Sequence, residues 1–205
     1  MSLTIYGVPA SRAFRVLWAA LELELPYDLV PYHYSGPETK AAGYLAINPN
    51  GTVPAIVDDG VPLFESLAIN LYLARKAERL WPRTVADEGR LYQWTLWAAT
   101  EVDPVIGQWA YNAFFLPPEQ RKPELAAEAA AKLRTRLSVV DGALAQRRWL
   151  AGDDFTMADL NVAAVLYRAP RFGIDAWPHL KDWHARCYAR PGARAAVALR
   201  EAKAA

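Results

Sequence analysis

Ser11 stands where an apolar run, LTIYGV, gives way to helical spacing, and Arg15 follows one turn later. A serine nucleophile needs a base. No histidine is near it in sequence, GxSxG is absent, and His33, His179 and His184 form no orienting pattern. The other use of a hydroxyl at this point is as a donor. Aimed at a bound thiol and backed by a helix N-terminus, it favours the thiolate, lowering a pKa of about 8.5 by one to several units. The structural alternative is a helix cap.

Two further motifs could serve the same ligand. In Thr52-Val53-Pro54 a proline sits beside apolar strand residues, where it removes a ladder hydrogen bond. A cis Val53–Pro54 bond, at a cost of about 0.5–1 kcal/mol, would turn the Val53 N–H and C=O toward an extended peptide that pairs like an added strand. An ordinary trans edge proline is the alternative. Glu65-Ser66 lies where a strand runs into a helix. Free N–H groups and the helix dipole there favour a carboxylate, while Glu65 attracts an adjacent ammonium. A plain N-cap is the alternative. Together the motifs ask for a ligand with an amino-acid head group, an extended backbone and a thiol.

The elements that must hold these residues change character along the chain. LTIYGV reads as a strand, and Phe14, Leu17, Trp18, Leu21 and Leu25 mark a helix that Pro26 stops. YDLVPYHY reads as a second strand and residues 41–47 as a short helix. Two more strands follow in VPAIVDDG and VPLFE, joined by an Asp-Gly hairpin turn. Helical spacing resumes in ESLAINLYLARKAERL, giving the order βαβ(α)ββα. Past Trp81-Pro82 the strand signals vanish. Residues 85–115, the alanine-rich 124–146, FTMADLNVAAVLYRA and WPHLKDWHARCYAR all read as helix. The expected domains are 1–78, a linker at 79–86, and an all-helical 87–205.

Composition excludes several classes. A net charge of +1 gives no electrostatic case for nucleic acid. No segment approaches the roughly 20 apolar residues of a membrane span, and MSLTIYGVPA lacks the basic and apolar run of a signal peptide. A cytoplasmic protein is expected. Cys187, the single cysteine, excludes an intrachain disulfide and a cysteine-based cluster, and the histidines offer no metal-ligand spacing. No metal is expected.

The stretches SRAFRVLWAALELELPYDLV, YLAINPNGTVPAIVDDG, LFESLAINLYLA and GDDFTMADLNVA, in this order, resemble the cytosolic glutathione transferases over essentially the whole chain. The likeness is to bacterial, serine-type members of theta, delta or zeta kind. It implies a thioredoxin-like domain (βαβαββα) carrying the glutathione site, a helical domain carrying most of the second-substrate site, and a homodimer. By position, Ser11 matches the activating serine, Arg15 the motif arginine, Pro54 the cis-proline preceded by Val53, and Glu65 with Ser66 the γ-glutamyl-binding pair. Thr156 and Asp159 match a capping box, and Phe155 with Leu160 a hydrophobic staple. The implied partners are glutathione and a small hydrophobic electrophile.

The departures carry expectations too. Many relatives set a histidine or lysine against the glycine carboxylate of glutathione, where this chain has Thr39 and Thr52. Such an exposed contact is worth about 1 kcal/mol or less, so several-fold weaker binding follows unless Lys40 or Arg12 compensates. Tyr6 is the alternative partner for the sulfur. Arg12 stands where zeta-like isomerases show cysteine, which weighs against maleylacetoacetate isomerisation. With no cysteine at residues 9–13, thiol–disulfide exchange is not expected. Trp109, Tyr111, Phe114 and Phe115, in WAYNAFF, are candidates for the electrophile pocket or, alternatively, for helix packing. Rival functions are a non-catalytic binding module of the same fold, or a glutathione-dependent lyase, isomerase or dehalogenase.

Overall fold

The computed structural model describes residues 2–202. Strands β1 (Leu3–Tyr6), β2 (Asp28–Val30), β3 (Ala55–Asp58) and β4 (Val61–Phe64) form one sheet in the order β2-β1-β3-β4. β1 and β2 run parallel, with Ile5 opposite Leu29, and β3 is antiparallel to β1, with Ile5 opposite Ile56. The β3–β4 hairpin turns through Asp59 (φ 47°) and Gly60 (φ 85°). Two consecutive positive φ values are what a two-residue turn needs to match strand twist, and Asp-Gly supplies them cheaply.

Helix α1 spans Ala13–Glu22, α2 Ala42–Leu45 and α3 Ser66–Ala77. α1 ends three residues earlier than the apolar spacing through Leu25 suggests. Glu24 takes φ 57°, and the Leu25 N–H bonds back to Ala20 C=O at 2.9 Å while the Glu24 N–H reaches Leu21 C=O at 3.3 Å. That paired closure ends the helix before Pro26 is reached. Around α1, Ile5, Val16, Leu17, Trp18, Ile56, Ile69 and Leu73 are fully or almost fully buried.

The helical part comprises α4 (Val85–Trp97), α5 (Asp103–Ala110), α6 (Pro123–Leu144), α7 (Met157–Val165), α8 (Ala169–Phe172), α9 (Pro178–Tyr188) and α10 (Pro191–Glu201). The expected long helix over 85–115 is α4 and α5 with π-helical turns at Ala98–Val102 and Tyr111–Phe115. α7 is wholly buried and opens with the capping box of Thr156 and Asp159. The Asp159 carboxylate accepts from the Leu150 N–H at 2.9 Å, the Thr156 N–H at 3.0 Å and Trp183 Nε1 at 2.9 Å. Burial still pushes its pKa up to about 6.

By packing, the chain forms two units, one of residues up to Trp81 together with those from Tyr188, the other from Pro82 to Cys187. The segment from Tyr188 therefore departs from the expected single helical domain at 87–205. The cause is long-range packing on α1. Arg190 pairs with the buried Glu22 carboxylate at 2.6 Å, the Trp18 and Tyr188 rings lie 4.9 Å apart, and Gly192 is so close that a Cβ would meet Glu22 backbone at 2.8 Å. Among the described residues no helix is long and apolar enough to cross a membrane.

Candidate active site

Three segments of the first unit converge on Gly7, which leaves β1 with φ 135°. A Cβ there would stand 2.8 Å from Ala13 Cβ, 3.1 Å from Val53 Cβ and 3.6 Å from Ser11 Oγ. Only glycine fits both that φ and that crowding. Ser11 and Val53, 42 residues apart in the chain, are thus brought together.

Ser11 is half-buried. Its Oγ accepts from the Ala13 N–H at 3.0 Å, and its O–H donates to Val8 C=O at 2.7 Å. The acceptor of the first N–H of α1 and the candidate donor are therefore the same side chain. Val8 C=O also accepts from the Ser11 N–H at 3.0 Å. The hydroxyl can consequently rotate to another acceptor without leaving that carbonyl orphaned, while Ala13 keeps the oxygen in place.

The Val53–Pro54 peptide is cis, and Val53 is 8% exposed. Among the described residues no protein group hydrogen-bonds the Val53 N–H or C=O. The preceding Thr52 is exposed, and its carbonyl is fixed by the Tyr44 hydroxyl at 2.6 Å and Asn48 Nδ2 at 2.7 Å. Burial pushes the Tyr44 pKa up to about 12, so the phenol remains a donor.

Glu65 is exposed at φ 70°, ψ 104°, and Ser66 opens α3 with 5% exposure. The link from Ser66 to α1 is Arg15, itself 7% exposed, whose guanidinium donates to Ser66 Oγ at 3.4 Å. Asn70 Nδ2 donates to Arg15 C=O at 3.2 Å. Sequence spacing placed Arg15 near Ser11; only folding attaches it to Ser66.

Thr39 corrects an expectation. It is fully buried, and its hydroxyl donates to Gly36 C=O at 2.9 Å, so it serves a turn rather than a surface. The next residue, Lys40, is exposed and donates to Gly51 C=O at 2.8 Å. Arg12 is exposed at the N-cap of α1. Tyr6 packs its ring 5.7 Å from both Tyr32 and Tyr44, in an aromatic cluster against Val53 and Ala55. Cys187 is fully buried.

In the helical unit the four candidate aromatics divide. Trp109 is half-buried and packs edge-on against Phe114 at 5.4 Å and Phe172 at 5.1 Å, while the Arg171 guanidinium covers Phe114 at 3.6 Å. Tyr111 and Phe115 are 56% and 51% exposed. Within that unit, cavities of about 570 Å³ (around Arg147, Arg148, His179 and Arg186) and about 230 Å³ (around Arg90, Trp94 and Arg147) include none of the four. Among the described residues no group of three or more His, Cys, Asp or Glu side chains is placed to hold a metal.

Comparison with known proteins bears on the whole chain. Residues 1–75 match the model of the glutathione S-transferase N-terminal domain and residues 102–191 that of the C-terminal domain. Glutathione S-transferase 3 of Zea mays is 35% identical, over 96% of this chain and 93% of its own. Glutathione S-transferase GstB of Escherichia coli K12 is 30% identical, over 90% and 92%. Among solved structures, the theta-class enzyme of Xanthomonas axonopodis pv. citri with glutathione bound superposes with a TM-score of 0.89 at 30% identity, covering 95% of this chain and 96% of that one. The fold, the order of its motifs and these likenesses place the chain in the cytosolic glutathione transferase superfamily.

Proposed function

We propose that this chain joins the glutathione thiolate to small apolar electrophiles, with Ser11 as the hydroxyl that keeps the sulfur ionised. The meeting of Ser11 and Val53 at Gly7 is the observation that carries the reading. In it, the Val53 N–H and C=O pair with the cysteinyl backbone of the tripeptide, flanked by Thr52 and Pro54. Ser66 and the start of α3 take the γ-glutamyl carboxylate, and Glu65 takes its ammonium. Lys40, with Arg12 as a second exposed cation, replaces Thr39 opposite the glycine carboxylate. The Xanthomonas enzyme and a Ure2p structure at 26% identity contain glutathione, which supports the tripeptide as co-substrate.

The chemistry asks little of Ser11 beyond a rotation. The thiol proton leaves to solvent, and the O–H turns from Val8 C=O to the sulfur. An O–H bond to a charged acceptor is stronger than one to a carbonyl, so the exchange favours the thiolate. The sulfur lone pair then forms the S–C bond, and the electrophile's leaving group departs with its bonding electrons. A cytoplasmic homodimer belongs to the same proposal, by likeness to the family.

Ultraviolet titration of the bound thiolate tests the role of the hydroxyl. Ser11→Ala is expected to raise the pKa of bound glutathione by about one to two units, with affinity nearly unchanged and turnover reduced at neutral pH. An unmoved pKa removes Ser11 from the mechanism. Retention on glutathione-agarose without turnover of any general electrophile would favour the non-catalytic module.

A further inference from the structure

The C-terminal helix reaches the Ser11 turn. α10 runs back along α1, with Arg190 at the Glu22 end and Arg200 at the Ser11 end. Arg200 Nη1 donates to Pro9 C=O at 2.8 Å and to Ser11 C=O at 3.1 Å, and its guanidinium lies 5.4 Å from the centroid of the Phe14 ring. One cation thus holds two carbonyls of a turn that has no regular secondary structure of its own. The same turn sets where the Ser11 oxygen points.

We propose that Arg200 is a positioning residue for the Ser11 hydroxyl, fixing the Pro9–Ser11 turn and placing a positive charge beside the site where a thiolate would sit. The proposal rests on the serine reading given above. Two physical effects act in the same direction. Charge-assisted bonds to both carbonyls restrict the peptide planes that carry the side chain. The guanidinium also lowers the energy of a nearby anion more than that of its neutral acid. No local pattern could have announced this contact, since 189 residues separate Arg200 from Ser11.

The test compares Arg200→Met, Arg200→Lys, Ser11→Ala and the Ser11→Ala/Arg200→Met double variant, each with glutathione as the probe. The readouts are the pKa of the bound thiol, the pH profile of kcat/KM with a general electrophile, and the Tm. Arg200→Met is expected to raise the thiol pKa by about half to one unit, lowering kcat/KM below that pKa by about three- to tenfold. Arg200→Lys should recover at least half of the shift. The double variant should shift by less than the sum of the two single shifts, because the positioning part of the Arg200 effect acts through the serine and only the direct effect of its charge remains without it.

A lowered Tm with an unmoved thiol pKa in Arg200→Met makes Arg200 purely structural and overturns the proposal. If Ser11→Ala moves the pKa and Arg200→Met does not, the proposal alone fails. If neither moves it, the serine reading fails and takes the proposal with it. Should Arg200→Met not fold, Arg200→Gln decides by the same shift, since it keeps a donor on a polar stem and removes the charge.

Discussion

Glu65 holds φ 70° and ψ 104°, a conformation costing a side-chain-bearing residue about 1–3 kcal/mol, and it does so one residue before the start of α3. A purely structural position would be expected to carry glycine. The carboxylate at a strained backbone is consistent with its proposed contact with an ammonium. Glu65→Gly should therefore leave stability unchanged or raise it by up to about 1 kcal/mol, while glutathione affinity falls about tenfold or more. Calorimetry beside urea unfolding would show both, and full retention of affinity would remove Glu65 from the ligand's contacts. Thr39 and Lys40 make the converse point. Sequence position singled out the threonine as the departure, but burial and its bond to Gly36 take it out of reach, and the adjacent exposed lysine holds the only charge of the two.

Among the elements, α7 and α9 carry two buried titrations of opposite sign. Asp159 is raised to about 6 by burial, above its unfolded value of 3.8, so the native state holds its proton more tightly. Its contribution is full below about pH 4 and is lost as pH rises through about 6. His184 is lowered to about 4 by burial, below 6.5, with a ring nitrogen 3.2 Å from Leu166 C=O. Its contribution is full above about pH 6.5 and is lost as pH falls through about 4. Against Asp159→Asn, wild-type stability should decline by up to about 3 kcal/mol between pH 4 and 6. Against His184→Gln it should rise over the same range. Urea unfolding at a series of pH values separates them, and a flat difference for Asp159→Asn would mean that its hydrogen bonds offset burial in full.

For the molecule as a whole, the first unit is discontinuous. α1 contributes Trp18, fully buried beside Tyr188, and Glu22, paired with Arg190, to a contact closed only by the end of the chain. A fragment ending at Trp81 should then expose that face and lose cooperative unfolding, a cavity-scale loss of several kcal/mol. Joining residues 188–202 to it through a flexible linker should restore a single transition by circular dichroism. A sharp transition in the fragment alone would show that α10 is dispensable to the unit.

What the sequence by itself determined was local. Short β-branched and aromatic runs marked the strands, Asp59-Gly60 the hairpin turn, alanine content the α6 helix, and Thr156 with Asp159 the capping box, because each depends on residues a few positions apart. Ser11, Val53 and Ser66 were legible as separate motifs for the same reason. Only the tertiary structure decided that Gly7 brings Ser11 to Val53, that Arg15 ties Ser66 to α1, and that Arg200 holds the Ser11 turn. Those contacts join residues 42, 51 and 189 positions apart. Chain periodicity carries no information at such separations, and it is the packing of α1 between α3 and α10 that closes them.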